Sequence, residues 1–506
     1  MVVRGFRRWG SVIVVALLCF LLVPSSVGVA APVVGPAAVD RFMSEYLART
    51  RLPGASIAIT HGDQVVYVAG YGHDSTGAAI TPTTRMPIAS VSKSMTATAV
   101  MQLVDAGKVQ LDAPVRLYLT DFRLADSRGD RITVRQLLNQ TSGMSDTAFP
   151  DLRRPQADSL AGAVERLRTA RLAADPGTRF NYHNPNYQVA ARLVEVVSGE
   201  PFADYLQRNV FGPIRMRDSV TVDTARDAED VSHGYIRAYG FAVPVPELDW
   251  FVGGSHGVIT TAADLAGWLT TQNNGGKAPD GHQVVSAAAV AEMHTPSGVS
   301  DDDYGMGWWR AQSDDGVRIS HNGDWFTYTA HQVLLPDTGY GIAVIADTGM
   351  SLADDPEIIA QGLIELTRGE MPDVHRPWAI YADWGMALLT LGMIGLGGFC
   401  VLRSRRWADR QSNRPAWLIV LRQLPYLVPI AVLAVLPQLA SLVFRGRAGT
   451  FAQVTYVWLA LVVFLCVAAV AGVSVLLARV IRLIMLRHNR FEGEDRLEES
   501  AARAPV

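Results

Sequence analysis

Residues 86–97 read Met-Pro-Ile-Ala-Ser-Val-Ser-Lys-Ser-Met-Thr-Ala, which sets Ser90 and Lys93 three positions apart at the predicted start of an amphipathic helix. Three residues make nearly one turn, so the two side chains share a face. A serine hydroxyl is a poor nucleophile near neutral pH and needs a neighbour to take its proton. Lysine does this only where burial or a nearby cation lowers its pKa, and arginine cannot stand in for it. The chain uses lysine only at Lys93, Lys108 and Lys277, and otherwise meets its need for positive charge with arginine. Two readings follow. Either a serine caps a helix with a solvated lysine one turn later, or a nucleophile carries its own base.

Outward from this stretch, residues 96–106 carry apolar side chains at helical spacing and stop at Gly107, a C-cap signal. Upstream, residues 55–60 and 64–68 flank His61-Gly62-Asp63 and predict a hairpin with a tight turn. Downstream, residues 187–197 predict a second helix ending near Gly199. Residues 330–335 and 341–346 predict a strand pair joined through 336–339. Strands at both ends with helices between them predict an α/β arrangement in which the first and last strands share one sheet.

The near-neutral balance of the 506 residues, a net charge of −3, gives no reason to expect a nucleic-acid partner. Arg4, Arg7 and Arg8 precede an apolar run at 11–23 and small residues through Ala31. Residues 1–31 therefore predict a secretory signal cut after Ala30 or Ala31, or a retained N-terminal anchor. Cys19, Cys400 and Cys466 all fall in apolar segments, so a domain over 38–370 has no cysteine and must rest on its core. With no Cys/His cluster at ligand spacing, neither metal nor cofactor is expected.

Composition changes near residue 375. After a linker at 371–383, apolar stretches at 384–402, 424–444 and 454–478 are each long enough to cross a bilayer core. Arg422, Pro425, Pro429 and Pro437 make the middle one irregular. Arg403, Arg405, Arg406, Arg410 and Arg414 fill the first loop, only Arg445 and Arg447 the second, and Arg479, Arg482, Arg487 and Arg490 follow the last span. This bias predicts a multi-pass membrane region at 384–486 with the tail 487–506 in the cytoplasm and the preceding domain outside. Trp378, Tyr381 and Trp384 form the expected interfacial belt. The spans hold almost no ionisable groups, so they predict an anchor rather than a transport path, with signal transmission as the alternative.

The segment 86–112 resembles the opening of the serine β-lactamase and penicillin-binding protein superfamily. Within it, the chain is most similar to the class C β-lactamase, D-alanyl-D-alanine carboxypeptidase and related esterase branch. Residues 132–143, 176–184, Gly253-Gly254, Thr260-Thr261 with Asp264-Leu265, and Tyr304-Gly-Met-Gly-Trp308 are similar in order and spacing. The resemblance covers 38–370 and none of the membrane half. It implies a β-lactamase/transpeptidase-like α/β (α+β) fold: an antiparallel sheet flanked by helices, plus an all-helical subdomain, followed here by three transmembrane helices.

The resemblance also implies roles. Ser90 is the acylated nucleophile and Lys93 its proton acceptor. In Tyr182-His183-Asn184, Tyr182 passes the proton to the leaving group and Asn184 holds Lys93 and the substrate amide. His321-Asn322-Gly323 stands where the superfamily has Lys-Thr-Gly. There Gly323 admits the substrate backbone, and the N–H groups of Asp324 and Ser90 form an oxyanion hole. Histidine in place of lysine turns a fixed cation into a group that can be neutral near pH 7, which argues against strong β-lactam hydrolysis. His256, His331 and Gln140 read as structural, and Trp308, Trp309 and Trp325 as groove lining or core. The expected activity is acyl-enzyme hydrolysis of a small peptide, ester or amide, cell-wall D-Ala peptides included. A membrane sensor or pseudo-enzyme acylated without turnover is the alternative.

Overall fold

The computed structural model describes residues 34–299, 303–313, 315–443 and 449–502. The expected signal or anchor at 1–31 lies outside these residues, as do Arg445 and Arg447. Helix α1 (Pro36–Thr50) leads into strands β1 (Gly54–His61) and β2 (Gln64–Gly72). Helices α2 (Ser92–Asp105), α3 (Pro185–Ser198) and α4 (Ala262–Asn273) follow. Strands β3 (Trp309–Ser313), β4 (Gly316–Asp324), β5 (Thr329–Leu335) and β6 (Tyr340–Ala346) and helix α5 (Asp355–Thr367) complete the domain.

The six strands form one antiparallel sheet in the order β2-β1-β6-β5-β4-β3. The first and last strands of the chain meet at its centre, with Ala55 opposite Ala346 and Thr60 opposite Gly341. β1 up to Thr60 and all of β6 are buried on both faces, so neither shows the alternation of a half-exposed strand. One face packs Ile57, Ile59 and Val344 against Phe42, Met43, Ile359 and Leu363 of α1 and α5. The other face meets the larger core through Ala58, Ala343 and Ile345, against Val100 of α2 and Leu269 of α4. Short helices Val134–Leu138 and Leu160–Arg166 pack with α3 beside α2 as the helical subdomain.

Helix α2 is not amphipathic. Every residue from Ser92 to Met101 is buried, because its hydroxyls are satisfied internally rather than by water. Ser92 donates to Ala89 O, Ser94 to Val91 O, Thr96 to Gly254 O and Thr98 to Ser94 O. Serine and threonine can therefore line a central helix without leaving buried donors unmet.

Three helical stretches are long and apolar enough to cross a membrane: Trp378–Leu402, Ala416–Ala434 and Leu459–Asn489. The first, α6 (Trp378–Leu402), starts inside the stretch expected to be a linker, directly after Pro377. The second begins eight residues ahead of the expected 424–444. It is broken near Pro425 and Pro429 into Ala416–Leu421, a tight turn at Leu424–Leu427 and Val428–Ala434, and a separate helix, Leu436–Val443, follows it around Pro437. The third is preceded by α7 (Phe451–Val457), capped reciprocally by Thr450 and Gln453, and becomes α8 (Leu459–Ala502), which runs on into the expected tail.

Candidate active site

Ser90 sits in a 3-10 turn, Ala89–Val91, that feeds directly into α2. Side chains three apart eclipse in such a turn, which aligns Ser90 and Lys93 more closely than an α-helix does. Lys93 Nζ stands 2.8 Å from Ser90 Oγ and 2.9 Å from the carbonyl oxygen of Ser255. The lysine side chain is fully buried, and its Nζ lies 4.9 Å from the Tyr182 ring and 5.7 Å from the Tyr187 ring. A solvated lysine is ruled out by this burial.

The turn is held under strain. Ala89 has φ +46°, the left-handed region that disfavours a side chain. Ser92 Oγ locks it by donating to Ala89 O at 2.6 Å and accepting from Val258 N at 3.0 Å. Strand β4 closes the other side. A Cβ on Gly323 would lie 2.2 Å from Ile88 O and 3.0 Å from Ser90 N, so only glycine lets this strand reach the serine's backbone. The close approach at Gly323 is thus made by the chain's own backbone. Gly307 acts similarly: with φ +78°, its Cβ would strike Ser94 N at 2.7 Å.

Alternation along β4 sorts the remaining candidates. His321 and Gly323 face α2, as their partners Gln332 and Ala330 do. Gln332 bonds Ser94 Oγ and Trp268, and Ala330 belongs to the α2-side core. Asn322 and Asp324 face the other way, and Asn322 Nδ2 donates to Asp324 Oδ2 at 3.3 Å. Asp354, the N-cap of α5, has its carboxyl pushed well above the usual range by burial and by Asp324. The structure therefore brings Ser90, Lys93, Tyr182, His321 and Gly323 together and turns the side chains of Asn322 and Asp324 away. The Asp324 backbone still follows Gly323 at the edge beside Ser90. Asn184 is buried at the start of α3, and its Oδ1 has no hydrogen-bond partner among the described residues.

The His321 ring is only 1% exposed. Its Nδ1 lies 2.6 Å from Asn322 O, and a carbonyl only accepts, so Nδ1 carries a hydrogen. Tyr304 Oη lies 3.1 Å from Nε2 and donates to it in the neutral ring. Burial pushes the phenols of Tyr304 and Tyr187 well above their ordinary range, so both serve as hydrogen-bond donors rather than bases. Tyr182, at 6.0 Å and 6.1 Å from the Tyr304 and His321 rings, is partly exposed.

Three contributors were missed by sequence reasoning. Ser255 acts through a backbone carbonyl, which leaves no mark in residue type. Tyr304 belongs to the Tyr-Gly-Met-Gly-Trp motif, but nothing in the motif tells which side chain meets His321. Glu247 accepts from Thr327 N at 2.8 Å, Thr327 Oγ1 at 2.6 Å and Phe326 N at 3.3 Å, fastening the turn after β4. Burial raises its pKa to about 7. Of the tryptophans, Trp308 stacks on Trp268 in the core. Trp325 donates to His256 O beside Ser255. Trp309 is partly exposed, with its ring 4.7 Å from that of Tyr304. His331, half-buried on β5, has its pKa lowered to about 4 by desolvation and by Arg318, in keeping with a structural role.

This arrangement, a serine with a buried amine at hydrogen-bond distance, a tyrosine beside it and a strand edge against its backbone, is equipped for acyl transfer. The beta-lactamase family model matches residues 39–363. The chain is 31% identical over 340 residues to penicillin-binding protein 4 of Amycolatopsis lactamdurans, covering 64% of this chain and 89% of that one. Among solved structures, the octameric penicillin-binding protein homologue from Pyrococcus abyssi matches with a TM-score of 0.56 at 26% identity, over 69% of this chain and 81% of that chain. The D-alanine carboxypeptidase AmpC from Burkholderia cenocepacia shares the fold with a TM-score of 0.52 at 20% identity, over 66% of this chain and 98% of its own.

Proposed function

The chain belongs to the beta-lactamase family, and on that premise we propose that it is a membrane-anchored serine hydrolase that works through an acyl-enzyme. The observation that carries this reading is the 2.8 Å contact between Lys93 Nζ and Ser90 Oγ in a buried setting. Lys93 takes the hydroxyl proton as Ser90 Oγ bonds to the substrate carbonyl carbon. The developing oxyanion is received by the N–H groups of Ser90 and Asp324, each such donor being worth roughly 3–4 kcal/mol. Tyr182 delivers a proton to the leaving group as the carbonyl reforms, and water then cleaves the acyl-Ser90 bond. Asn184, whose Oδ1 is a buried acceptor without a partner among the described residues, is the proposed receiver of a substrate amide hydrogen.

The substrate class is a small amide or ester, with D-Ala peptides of the cell wall the leading candidate. The names of the penicillin-binding and carboxypeptidase relatives support that choice. His321, bonded to Tyr304, stands in place of a fixed cation, which argues against strong β-lactam hydrolysis. The arginine-rich first loop supports a catalytic domain on the outer side.

The test is to treat the detergent-solubilised full chain with fluorophosphonate and penicillin probes and follow the label over time. Labelling that disappears in Ser90→Ala and turns over in the wild type is the expected result. No wild-type labelling by either probe overturns the reading, and a label that never turns over replaces it with a sensor.

A further inference from the structure

Among the described residues, the hydrolase domain meets the C-terminal helices where Tyr456 Oη donates to Pro246 O at 2.9 Å beside Phe326, and again at a hairpin tip. Strands Gly234–Ala238 and Phe241–Val245 pair antiparallel and turn at Tyr239-Gly240. Trp384 Nε1 donates to Tyr239 O at 3.2 Å, and a Cβ on Gly240 would lie 3.1 Å from both Ile380 and Trp384. Trp384 is six residues into α6, about 9 Å along its axis. Together with Trp378 and Tyr381, both exposed, it makes the aromatic belt that marks a bilayer interface. The tip therefore sits at belt height.

What the tip displays there is chemically specific. Phe241 follows Gly240 directly and is 58% exposed, and Val243, on the same face of the strand, is exposed as well. The Arg51 guanidinium lies 4.6 Å above the Phe241 ring, and the Arg376 guanidinium lies 5.5 Å above the Trp384 ring. Neither arginine pairs with a carboxylate among the described residues. The nearby acids are engaged: Asp383 accepts from Trp458 Nε1, and Asp373 faces His375. Exposed apolar rings under unpaired guanidinium groups, continuous with an interfacial belt, match the boundary between acyl chains and anionic headgroups.

We propose that Phe241, Val243, Arg51 and Arg376 form a lipid-binding edge of the hydrolase domain, seated on an anionic phospholipid surface beside α6. The domain then stands on the membrane at two points, the helix and the hairpin, rather than swinging on a single tether. This requires α6 to span a bilayer, as in the reading above, and is independent of the chemistry at Ser90.

The experiment uses the full chain with Cys19, Cys400 and Cys466 replaced by serine, reconstituted in lipid nanodiscs containing phosphatidylglycerol. A single environment-sensitive fluorophore is attached at Phe241→Cys, or at Val243→Cys should the first variant fail to assemble. Val65→Cys serves as the aqueous control. It pairs with Thr60, six residues and about 20 Å along β1 from the Gly54 end that lies nearest the hairpin. Leu396→Cys, about three quarters of the way along α6 and exposed on it, serves as the membrane control.

The expected result is blue-shifted emission at 241, lost to a lipid-borne quencher, with neither effect at 65. Arg51→Ala with Arg376→Ala should weaken the quenching at 241 in these discs but not in discs of phosphatidylcholine alone. A probe at 241 as wet as at 65, with 396 fully quenched, overturns the proposal. A wet probe at 396 overturns the membrane reading along with it.

Discussion

Tyr304 Oη lies 3.1 Å from His321 Nε2, and both side chains are sealed from solvent. The nitrogen that a substrate carboxylate would seek is already held by a phenol. Tyr304→Phe removes that donor and leaves a buried imidazole nitrogen unmet, a loss of roughly 1–3 kcal/mol. The expected outcome is a lower unfolding midpoint and slower fluorophosphonate labelling of Ser90. A midpoint and labelling rate equal to wild type would show that the contact does not matter.

Lys93 is the second test. Replacing it by alanine or by arginine should slow acylation of Ser90 by about 10²–10⁴, the usual scale of general-base assistance. Arginine should not rescue, since it keeps the charge but does not give up its proton. Stopped-flow or gel-based labelling kinetics on the full chain measure this directly.

Gly323→Ala places a methyl group 2.2 Å from Ile88 O and 3.0 Å from Ser90 N. The strand edge must retreat from the serine. Overpacking of this kind costs about 1–3 kcal/mol of stability, and labelling of Ser90 should fall more than the stability loss accounts for. Comparing labelling rate with thermal midpoint separates the two effects.

Glu247 gives a pH prediction. Burial raises its folded pKa to about 7 from a value of 4.5, so between those two pH values the folded chain binds more protons than the unfolded one. This group's contribution is therefore most favourable below about pH 4.5 and is lost as pH rises through 7, by up to about 3 kcal/mol. Glu247→Gln should flatten that slope. Unfolding midpoints of the two proteins from pH 5 to 8 provide the check, and parallel curves would exclude Glu247 as the titrating group.

Arg237 binds Asp355 Oδ2 at 2.6 and 3.1 Å and Thr50 O at 2.8 Å, while Tyr46 donates to Asp355 Oδ1. This pair ties the hairpin that meets α6 to α1 and α5. Arg237→Met strands a buried carboxylate and should cost about 3–5 kcal/mol, read as a fall in unfolding midpoint.

Much of the architecture was legible in the chain because its signals are local. The hairpin around Gly62 and the strand pair around 336–339 announce themselves by turn chemistry, and β1 does pair with β6. The prolines at 425, 429 and 437 foretold a broken middle span, although its start was misplaced, because apolar residues on both sides of Arg422 blur the boundary. Ser90 and Lys93 were legible because i, i+3 spacing is a property of the chain itself.

Other features depend on contacts between segments hundreds of residues apart. Residue types alone predicted a half-wet α2, whereas its serines and threonines are buried against carbonyls supplied by its own preceding turn and by Gly254. The strand pleat decided that His321 and Gly323 face Ser90 while Asn322 and Asp324 do not. Which tyrosine holds His321, which carbonyl holds Lys93, and which carboxylate fastens the turn after β4 were settled only by the packing. The sequence determined that a serine and a lysine share one helical turn. The tertiary structure decided that the lysine is sealed from water, because the ring of Tyr182, the carbonyl of Ser255 and the backbone of Gly307 close over it from three distant parts of the chain.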